Sequence, residues 1–547
     1  MNSIEYVAKL LKQEGVEWMS CYPSNPLIEA VAKEGIRPIA FRHERGAVMA
    51  ADGFSRLSDR KRFGVVAMQS QAGAENSVGG LAQANGDNSP ILVLPGGNSL
   101  DTIFVRPNFV AAKTWEAVVK QAEYITRPDQ TANVMRRAFH ALRSGRPGPV
   151  VVEMPIDVCM ADIPEQALNY SSPSDTRSRP SDVAVQEALN HLLKAENPLI
   201  WAGAGILMSS ATEELREFAE LLDIPVYTTM PGKSAFDETH ALSVGAGGST
   251  TTGMARKWLA EADVVFAVGA SLTSSPYAQR IRPDKFVIHN VISEDDLQKD
   301  RFADLALPGD AKLTLQALLE HAKERVGEGG RDTGVQAAIA AEKSNWEAAW
   351  KPYLENDDSP LSPYRVIHEM NVNLDNDNSV VTHDAGAPRD QIVPFYTATT
   401  PHSYIGWGKT THLGFSIPLM IGAKMAMPER MCVNLMGDGA FGMSGLDIET
   451  SARAGVPITT IVLNNGIMAT YPGGFPIARE KYGVSHMQGD YAKLADSLGA
   501  VGITVTQSSE MGPAILQAKE LNESGKTVLL DVHTRAEDSR APYRFAT

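Results

Sequence analysis

Two short polar stretches in the last third of the chain have the residue types of a divalent-cation site. The first, Gly437-Asp438-Gly439, follows the apolar run MCVNLM, and the second, Asn464-Asn465, follows the apolar run ITTIVL. A helix-length stretch separates them, so the segment predicts a βαβ unit whose two parallel strands end at the same edge of a sheet. Asp438 and Asn465 would then lie side by side. Carboxylate and amide oxygens suit a hard cation that completes its coordination with water and a diphosphate.

The two glycines fit the same prediction. Gly437 and Gly439 have no Cβ, so the backbone of this turn can approach a diphosphate closely. The N-terminus of the helix that follows favours negative charge. We therefore expect a diphosphate and a metal ion to bind together at one sheet edge.

A second candidate group, Glu44, lies far from these motifs in the sequence. It follows a short predicted strand, PIAF, and begins an Ala- and Gly-rich helix within RHERGAVMAADGFSR. A carboxylate at the start of a helix that must be buried is costly unless it is paired or hydrogen-bonded. Glu44 is therefore predicted to have a partner, and its chemistry suits general acid–base catalysis.

The elements that position these residues form three consecutive α/β units, each predicted to contain a parallel sheet. Residues 1–165 alternate helical stretches with the runs PIAF, FGVVAM, PILVLPGG and GPVVVEMP. After a Ser- and Pro-rich linker, residues 183–330 contain PLIWAGAG, IPVYTT, VVFAVGA and FVIHNVI. Residues 355–547 contain VVTHDAG, TVLLDV and the two runs before the polar motifs. The predicted fold class is thus α/β with three domains.

Composition agrees with a large enzyme and excludes several other classes. The chain has 547 residues, of which 43% are hydrophobic and 21% charged, enough to bury several cores. A net charge of −15 argues against nucleic-acid binding. Three cysteines without metal or redox spacing indicate a reducing compartment. The first residues predict a core-facing helix rather than a signal peptide, and no apolar run reaches membrane-spanning length, so we expect a cytoplasmic protein without a membrane partner.

The combination of GDG with NN at this spacing resembles the cofactor motif of thiamine-diphosphate (ThDP) enzymes. The resemblance implies ThDP and Mg²⁺ as cofactors. Asp438 and Asn465 would bind the metal through their side chains and Ile467 through its carbonyl oxygen. The segment around Glu44 is similar to the RHE…GA run of acetolactate synthases. In that family the glutamate hydrogen-bonds N1′ of the pyrimidine ring and promotes the imino tautomer that deprotonates the thiazolium carbon, so Glu44 would have this role.

The whole chain, including its domain order, resembles the group that contains acetolactate synthase, pyruvate oxidase and benzoylformate decarboxylase. Residues 1–165 would form the pyrimidine-binding domain, residues 183–330 a central domain and residues 355–547 the diphosphate-binding domain. Relatives with this order bind the cofactor between the first domain of one subunit and the third domain of another. A homodimer is therefore the expected minimum, and a homotetramer is what the resemblance implies.

The resemblance also assigns the remaining cofactor contacts. Leu413 matches the bulky apolar residue that wedges between the two cofactor rings. Thr411 stands where the family often has a glycine whose carbonyl oxygen accepts from the 4′-amine, a role that threonine keeps if its φ permits. The other expected contacts are Asn76, Gly386, Ala387, Gly437, Gly439 and Ala440.

The substrate-facing residues differ from those of each familiar relative. The segment QSQAGAEN is closest to benzoylformate decarboxylase, which has histidine where this chain has Gln69. Since an amide cannot shuttle protons as imidazole does, another group such as His43 or His412 would have to take that step. Gly97 replaces a glutamine of acetolactate synthase, which counts against a strict member of that class. The candidates for substrate contact are Asn25, Gln69, Gln71, His412, Met468 and Tyr471.

Two alternatives remain beside the main interpretation. The helix AFGMSGLDIET resembles that of 2-hydroxyacyl-CoA lyases and oxalyl-CoA decarboxylases. A catalytically silent paralogue or regulatory subunit is the other alternative, against which intact Glu44, Asp438 and Asn465 argue. The main interpretation is a ThDP- and Mg²⁺-dependent enzyme that makes or breaks a carbon–carbon bond next to a carbonyl, by 2-oxo acid decarboxylation, acyloin carboligation or both.

The central domain is expected to be structural. Its glycine stretch GAGIL is only a partial nucleotide fingerprint, and GASLTSS lacks the Asp-Asp-Arg of FAD-binding synthases. Val291 and Ser293 occupy the positions where such relatives have acidic residues. The sequence therefore predicts a protein without flavin.

Overall fold

Every pairing between the strands named below is parallel, and the strands form three separate sheets of six. The structure is a computed structural model that describes residues 1–468 and 474–537. Helices follow most of the strands in each sheet, as parallel connections require. This architecture confirms the predicted α/β class with three consecutive parallel-sheet domains.

The first sheet has the strand order β2-β1-β3-β4-β6-β5. Its strands are β1 (Trp18–Cys21), β2 (Arg37–Ala40), β3 (Gly64–Met68), β4 (Ile91–Gly97), β5 (Gln121–Tyr124) and β6 (Val150–Pro155). Its helices are α1 (Ser3–Gln13), α2 (Leu27–Lys33), α3 (Glu44–Arg56), α4 (Ala72–Asn76), α5 (Val78–Gly86), α6 (Ala111–Thr114), α7 (Thr131–Arg143) and α8 (Ile156–Cys159).

The second sheet has the order β12-β11-β10-β7-β8-β9. Its strands are β7 (Pro198–Ala202), β8 (Val226–Thr229), β9 (Ser243–Gly247), β10 (Val264–Val268), β11 (Phe286–Val291) and β12 (Leu305–Pro308). Its helices are α9 (Asp182–Lys194), α10 (Gly205–Met208), α11 (Thr212–Leu222), α12 (Gly253–Glu261), α13 (Ala311–Val326) and α14 (Val335–Leu354).

The third sheet has the order β14-β13-β15-β16-β18-β17. Its strands are β13 (Ser379–His383), β14 (Tyr404–Ile405), β15 (Met431–Gly437), β16 (Thr459–Asn464), β17 (Val501–Val505) and β18 (Val528–His533). Its helices are α15 (Pro363–Asn373), α16 (Ala387–Ile392), α17 (Ser416–Ala426), α18 (Asp438–Ser444), α19 (Asp447–Ala454), α20 (Pro476–Tyr482), α21 (Tyr491–Ser497) and α22 (Ser508–Glu523). Short 3-10 helices lie at Glu116–Val118, Pro128–Gln130, Glu165–Ala167, Met230–Gly232 and Glu294–Asp296.

The first and third domains pack through a close crossing of α3 and α17. A Cβ on Gly53 would lie 2.1 Å from the Leu419 carbonyl oxygen, and a Cβ on Gly422 would lie 1.9 Å from that of Ala50. The two backbones can meet only because glycine has no side chain at these positions. The Ala- and Gly-rich composition of α3 thus holds Glu44, its first residue, against the third domain.

The three cysteines are buried and form no disulfide. Burial raises the pKa of the thiols of Cys21, Cys159 and Cys432 to about 12 in each case. They are therefore unreactive core residues. In the part of the chain that the structure describes, no helix combines the length and the apolar character needed to cross a membrane.

Candidate functional site

The predicted metal ligands lie at the carboxyl ends of two neighbouring strands. Strands β15 and β16 pair in register up to Gly437 and Leu463, so the turns after them open at the same sheet edge. The Asp438 carboxylate joins the two turns directly, because its Oδ2 accepts a 2.8 Å hydrogen bond from the Gly466 amide. In the second turn, Asn465 Oδ1 accepts from the Ile467 amide at 2.9 Å. The structure thus brings Asp438, Asn465 and Ile467 together.

The Asp438 carboxylate is buried without a cationic partner. Its Oδ1 accepts from the Gly439 amide and its Oδ2 from the Gly466 amide, and none of the ion pairs of the described residues includes it. Burial raises the pKa of Asp438 and the nearby Asp531 carboxylate raises it further, although the amides of Gly466, Gly439 and Asn465 oppose the rise. A divalent cation would relieve both effects, because it would neutralise the buried charge.

The donor set fits Mg²⁺ together with a diphosphate better than a metal bound by protein alone. In residues 1–468 and 474–537, no group of three or more His, Cys, Asp or Glu side chains could hold a metal ion. One carboxylate, one amide and one carbonyl leave coordination positions that water and phosphate oxygens would have to fill. The turn has room for them, because a Cβ on Gly437 would meet only Pro388 Cγ, at 4.0 Å.

Two other expected cofactor contacts border this edge. Gly386 follows β13, the neighbour of β15, and has a positive φ of 88° with no atom within 4 Å of a Cβ position. Ala387 begins the short helix α16 directly after it. Ala440 is buried in α18, and its carbonyl oxygen lies 3.2 Å from the Cβ position of Gly414. Gly386 and Ala387 thus follow the strand next to β15, and Ala440 lies two residues after Asp438 in the turn and helix that carry it.

The segment that carries Leu413, residues 410–416, lies beside α18 and is called the wedge segment below. Leu413 is 39% exposed, and it directly precedes the buried residues 414–416. Gly414 has a φ of 77° and packs so closely that a Cβ would lie 2.8 Å from Met443 Cβ. Thr411 also has a positive φ, 54°, which costs a β-branched residue about 1–2 kcal/mol. Thr411 thus adopts the backbone conformation that a glycine would take more readily.

Glu44 is 5% exposed at the start of α3. Asn76 Nδ2 donates to its Oε2 at 3.1 Å, which provides the hydrogen bond that the sequence predicts. Gly73 lies close to the same carboxylate, because a Cβ there would lie 3.2 Å from Glu44 Oε1. The preceding residue, His43, caps α3 by accepting from the Arg45 amide through Nδ1. His43 is therefore engaged in a helix cap.

A single chain brings the Glu44 helix next to the wedge segment. Arg45 Nη2 donates to the Met443 carbonyl oxygen at 3.0 Å. On the other side, a Cβ on Gly79 would lie 3.0 Å from His412 Cε1. Since Met443 packs against Gly414, the Arg45 hydrogen bond places the start of α3 close to the residues around Leu413, and Gly79 places α5 beside His412.

Some of the expected substrate contacts are exposed side chains, whereas others are hydrogen-bonded within the protein. Gln69 is exposed and Met468 is 43% exposed next to Gly439, whereas Tyr471 lies outside the described residues. The amide of Gln71 donates to Asn98 and Asn108 at 3.1 Å each and accepts from the Phe109 amide at 3.0 Å. Its side chain therefore supports residues 98–109 instead of pointing freely into the site.

Two further candidates are less exposed. Asn25 donates to the carbonyl oxygens of Met68 and Leu94, so it ties strand ends together. Burial lowers the pKa of His412, and the Arg45 guanidinium lowers it further. The lowered pKa favours the neutral imidazole and makes His412 a weaker base than a free histidine.

Two residues that the sequence analysis did not single out hold the wedge segment. Asp384 follows β13 and accepts from Gly414 and Ser416, and Gln83 of α5 accepts from Thr410 and His412. An acidic residue after an apolar run, as in VVTHDAG, was the available signal for Asp384. Nothing in the local sequence marks Gln83.

A separate cavity of about 910 Å³ lies in the central domain and is also lined by Arg146 and Lys409 from its two neighbours. The glycines of GAGIL serve packing there, because a Cβ on Gly203 would lie 2.3 Å from the Gly269 carbonyl oxygen. The absence of a flavin stays a prediction, which a visible absorbance spectrum of the purified protein can test.

Comparison with known proteins finds family models that match this chain. Three family models match the chain: "Thiamine pyrophosphate enzyme, N-terminal TPP binding domain" over residues 1–103, "central domain" over 185–318 and "C-terminal TPP binding domain" over 384–532. Thiamine pyrophosphate is another name for ThDP. Together the three models cover well over half of the chain, in the order predicted from the sequence.

Curated relatives match almost the full length. A probable acetolactate synthase large subunit of Methanococcus aeolicus is 28% identical over 96% of this chain and 91% of its own length. The acetolactate synthase isozyme 3 large subunit of Escherichia coli is 28% identical over 97% of this chain and 94% of its own. The large subunit of Buchnera aphidicola from Acyrthosiphon pisum is 27% identical with the same coverage. The chain therefore belongs to the thiamine-diphosphate-dependent enzymes, in the group of the acetolactate synthases.

Proposed function

We propose that the protein uses ThDP and Mg²⁺ to decarboxylate a 2-oxo acid and to join the resulting fragment to a carbonyl acceptor. The observation that carries the proposal is the buried Asp438 carboxylate, which has no cationic partner within residues 1–468 and 474–537 and shares an open sheet edge with Asn465. When bound, ThDP supplies the electron sink for breaking or making a carbon–carbon bond next to a carbonyl.

Each of the candidate site residues would have a distinct task. Asp438, Asn465 and the Ile467 carbonyl oxygen would hold Mg²⁺ against the diphosphate. Glu44 would hold a proton at the pyrimidine N1′, since it is buried and already hydrogen-bonded by Asn76. The Thr411 carbonyl oxygen would accept from the 4′-amine. Leu413 would keep the two rings at an angle by filling the space between them.

The resemblance to CoA-dependent lyases has a packing explanation. Phe441 packs edge-on against Tyr491 with ring centroids 5.0 Å apart, and Gly445 leaves room for the Phe441 ring. Asp447 accepts from the Arg42 amide and from Thr450, which ties the same helices to the turn before Glu44. These residues of AFGMSGLDIET thus pack the helices that border the site, and this role requires no CoA ligand.

We also propose that the active form is at least a homodimer, and a homotetramer by analogy with the family. Apolar side chains around the site are unusually exposed in the single chain: Leu413 is 39%, Met443 54% and Leu446 53% exposed. A second chain would cover them. Analytical ultracentrifugation of the holoenzyme tests this proposal, because a purely monomeric species at micromolar concentration would contradict it.

A substrate panel tests the reaction. The holoenzyme is incubated with 2-oxo acids, alone and with aldehyde or ketone acceptors, and CO₂ release and new carbon–carbon bonds are measured separately. We expect both signals with at least one 2-oxo acid, and neither in the Glu44→Gln variant. Cleavage of a 2-hydroxyacyl-CoA without any 2-oxo acid turnover would favour the lyase alternative, and inactivity with every substrate would favour a silent paralogue.

A further inference from the structure

The wedge segment adopts a backbone that its own residues do not favour. Thr411 and Gly414 both have positive φ, at 54° and 77°, and no helix or strand includes residues 410–415. A threonine in this conformation persists only where surrounding contacts determine it. The structure must therefore contain groups that hold the segment from outside.

Asp384 holds the far end of the segment. Its Oδ1 accepts from the amides of Ala385 at 2.8 Å and Gly414 at 2.9 Å. Its Oδ2 accepts from the Ser416 amide at 3.0 Å and the Ser416 hydroxyl at 2.7 Å. Asp384 is fully buried, and these four donors occupy all the lone-pair directions of a carboxylate. Two amides of the segment thus point at one fixed acceptor.

Gln83 holds the near end from the first domain. Its Oε1 accepts from the Thr410 hydroxyl at 2.7 Å and from the His412 amide at 3.4 Å. Its amide nitrogen donates to Asp87, which is also paired with Arg56 at 3.0 Å. Because Asp87 needs a donor, the oxygen of Gln83 must face the wedge segment. A buried ion pair therefore fixes the orientation of this second acceptor.

The hydrogen bonds at Asp384 continue through Ser416 to the two strands that end at the predicted metal site. The Ser416 hydroxyl accepts from Asn434 Nδ2 at 3.1 Å, and Asn434 Oδ1 accepts from the Thr460 hydroxyl at 2.8 Å. Asn434 lies on β15 and Thr460 on β16, the two strands that end at the predicted metal ligands. One chain of buried hydrogen bonds thus joins Asp384, the wedge segment and both strands.

We propose that Asp384 and Gln83 are positioning residues that fix the wedge segment from opposite ends, and that Asp384 sets its distance from the turns that carry Asp438 and Asn465. The proposal rests on the proposed function for its catalytic consequence only. Neither residue would touch the cofactor. Both would act by keeping the Thr411 carbonyl oxygen and the Leu413 side chain where the bound rings need them.

Amide hydrogen exchange measures the positioning without any cofactor. In the metal-free full-length protein, Asp384→Asn should speed exchange of the amides in residues 413–416, and Gln83→Met should speed exchange in residues 410–412. We expect up to about tenfold for each lost hydrogen bond. With saturating ThDP and Mg²⁺, exchange of the thiazolium C2 proton should slow by roughly 10²-fold in Asp384→Asn, the loss expected for a displacement of about 1 Å.

A matched control separates positioning from general loss of stability. Asn522 accepts from the Thr459 hydroxyl at 2.8 Å at the start of β16, the opposite end of that strand from the turn with Asn465. Asn522→Asp should lower the melting temperature but leave both exchange rates unchanged. If Asp384→Asn does not fold, Ser416→Ala removes one of the four donors and should give a smaller change in the same direction. Wild-type amide exchange at residues 410–416 in all three test variants would overturn the proposal. A wild-type protein that binds no ThDP would instead overturn the proposed function, with the amide result unaffected.

Discussion

Asp384 and Asp438 follow neighbouring strands of the third sheet, and burial raises the pKa of both carboxyl groups. Four donors, one of them the Ser416 hydroxyl, surround Asp384, whereas Asp438 accepts, among the described residues, from the backbone amides of Gly439, Gly466 and Asn465 only. A carboxylate has about four lone-pair directions, so Asp438 keeps at least one of them for a ligand. The comparison teaches that similar sequence positions and similar burial can give either an anchor or a binding site, and that the number of local donors distinguishes the two.

The largest expected effect separates the two aspartates by cofactor affinity. Asp438→Ala removes a charged metal ligand that no neighbour replaces, so ThDP affinity in the presence of Mg²⁺ should fall by more than the roughly 10²-fold typical of residues that only support ligands. Asp384→Asn should change this affinity by less than about tenfold, because Asp384 does not face the metal. Calorimetry on both variants, with circular dichroism to confirm folding, makes the measurement. Equal losses in the two variants would remove the distinction.

The next largest effect is expected on proton transfer, with little change in ThDP affinity. Glu44→Gln keeps the shape of the side chain and a hydrogen-bonding group for Asn76, but it cannot carry a proton at N1′. Exchange of the thiazolium C2 proton should slow by at least roughly 10²-fold while ThDP still binds. Acid quench followed by NMR isolates this step from any question about the substrate. Wild-type exchange in the variant would make Glu44 a structural residue.

The smallest effect is a pH dependence of stability in the metal-free protein. Because burial raises the pKa of Asp438 in the folded state, the folded protein holds this proton to a higher pH than the unfolded chain. The contribution of Asp438 to stability therefore falls as the pH rises above about 4, the pKa of an unfolded aspartate.

Asp438→Asn removes this pH dependence, although its NH2 group would face one of the backbone N–H donors at any pH. The metal-free melting temperature of the variant, relative to wild type, should therefore be higher at pH 7 than at pH 4. Asp384→Asn should lower the melting temperature at both pH values, since its amide group would face N–H donors. A difference between Asp438→Asn and wild type that does not change between pH 4 and pH 7 would contradict this assignment.

Most interior strands were predictable from sequence, whereas most sheet edges were not. Apolar runs mark β3, β4, β7, β10, β15 and β16, which lie inside their sheets and are largely buried on both faces. The run PIAF also marks the edge strand β2, but no run marks the short interior strand β1 or the edge strands β5, β9, β12, β14 and β17. These strands are short or partly exposed, and β14 has only two residues. Edge strands bury less surface, so their sequences carry a weaker pattern.

The site shows the same division between local and distant contacts. The placement of Asp438, Asn465 and Glu44 at strand ends and helix starts was predictable, because turn residues and strand ends leave a local signature; their roles stay predictions. Gln83 was not, because its role depends on a contact between residues more than 300 positions apart in the sequence. The engagement of Gln71 with Asn98 and Asn108 likewise depends on how residues 98–109 fold back, which no local pattern encodes.

The central claim is that the edge carrying Asp438 and Asn465 binds ThDP and a divalent cation together. Titration of ThDP into the wild-type protein by calorimetry, once with Mg²⁺ and once with a chelator, tests it most directly. We predict stoichiometric binding with Mg²⁺ and a loss of most of the affinity with the chelator, since the protein alone offers too few ligands to the diphosphate. Equal affinity under both conditions, or no binding under either, would contradict the account.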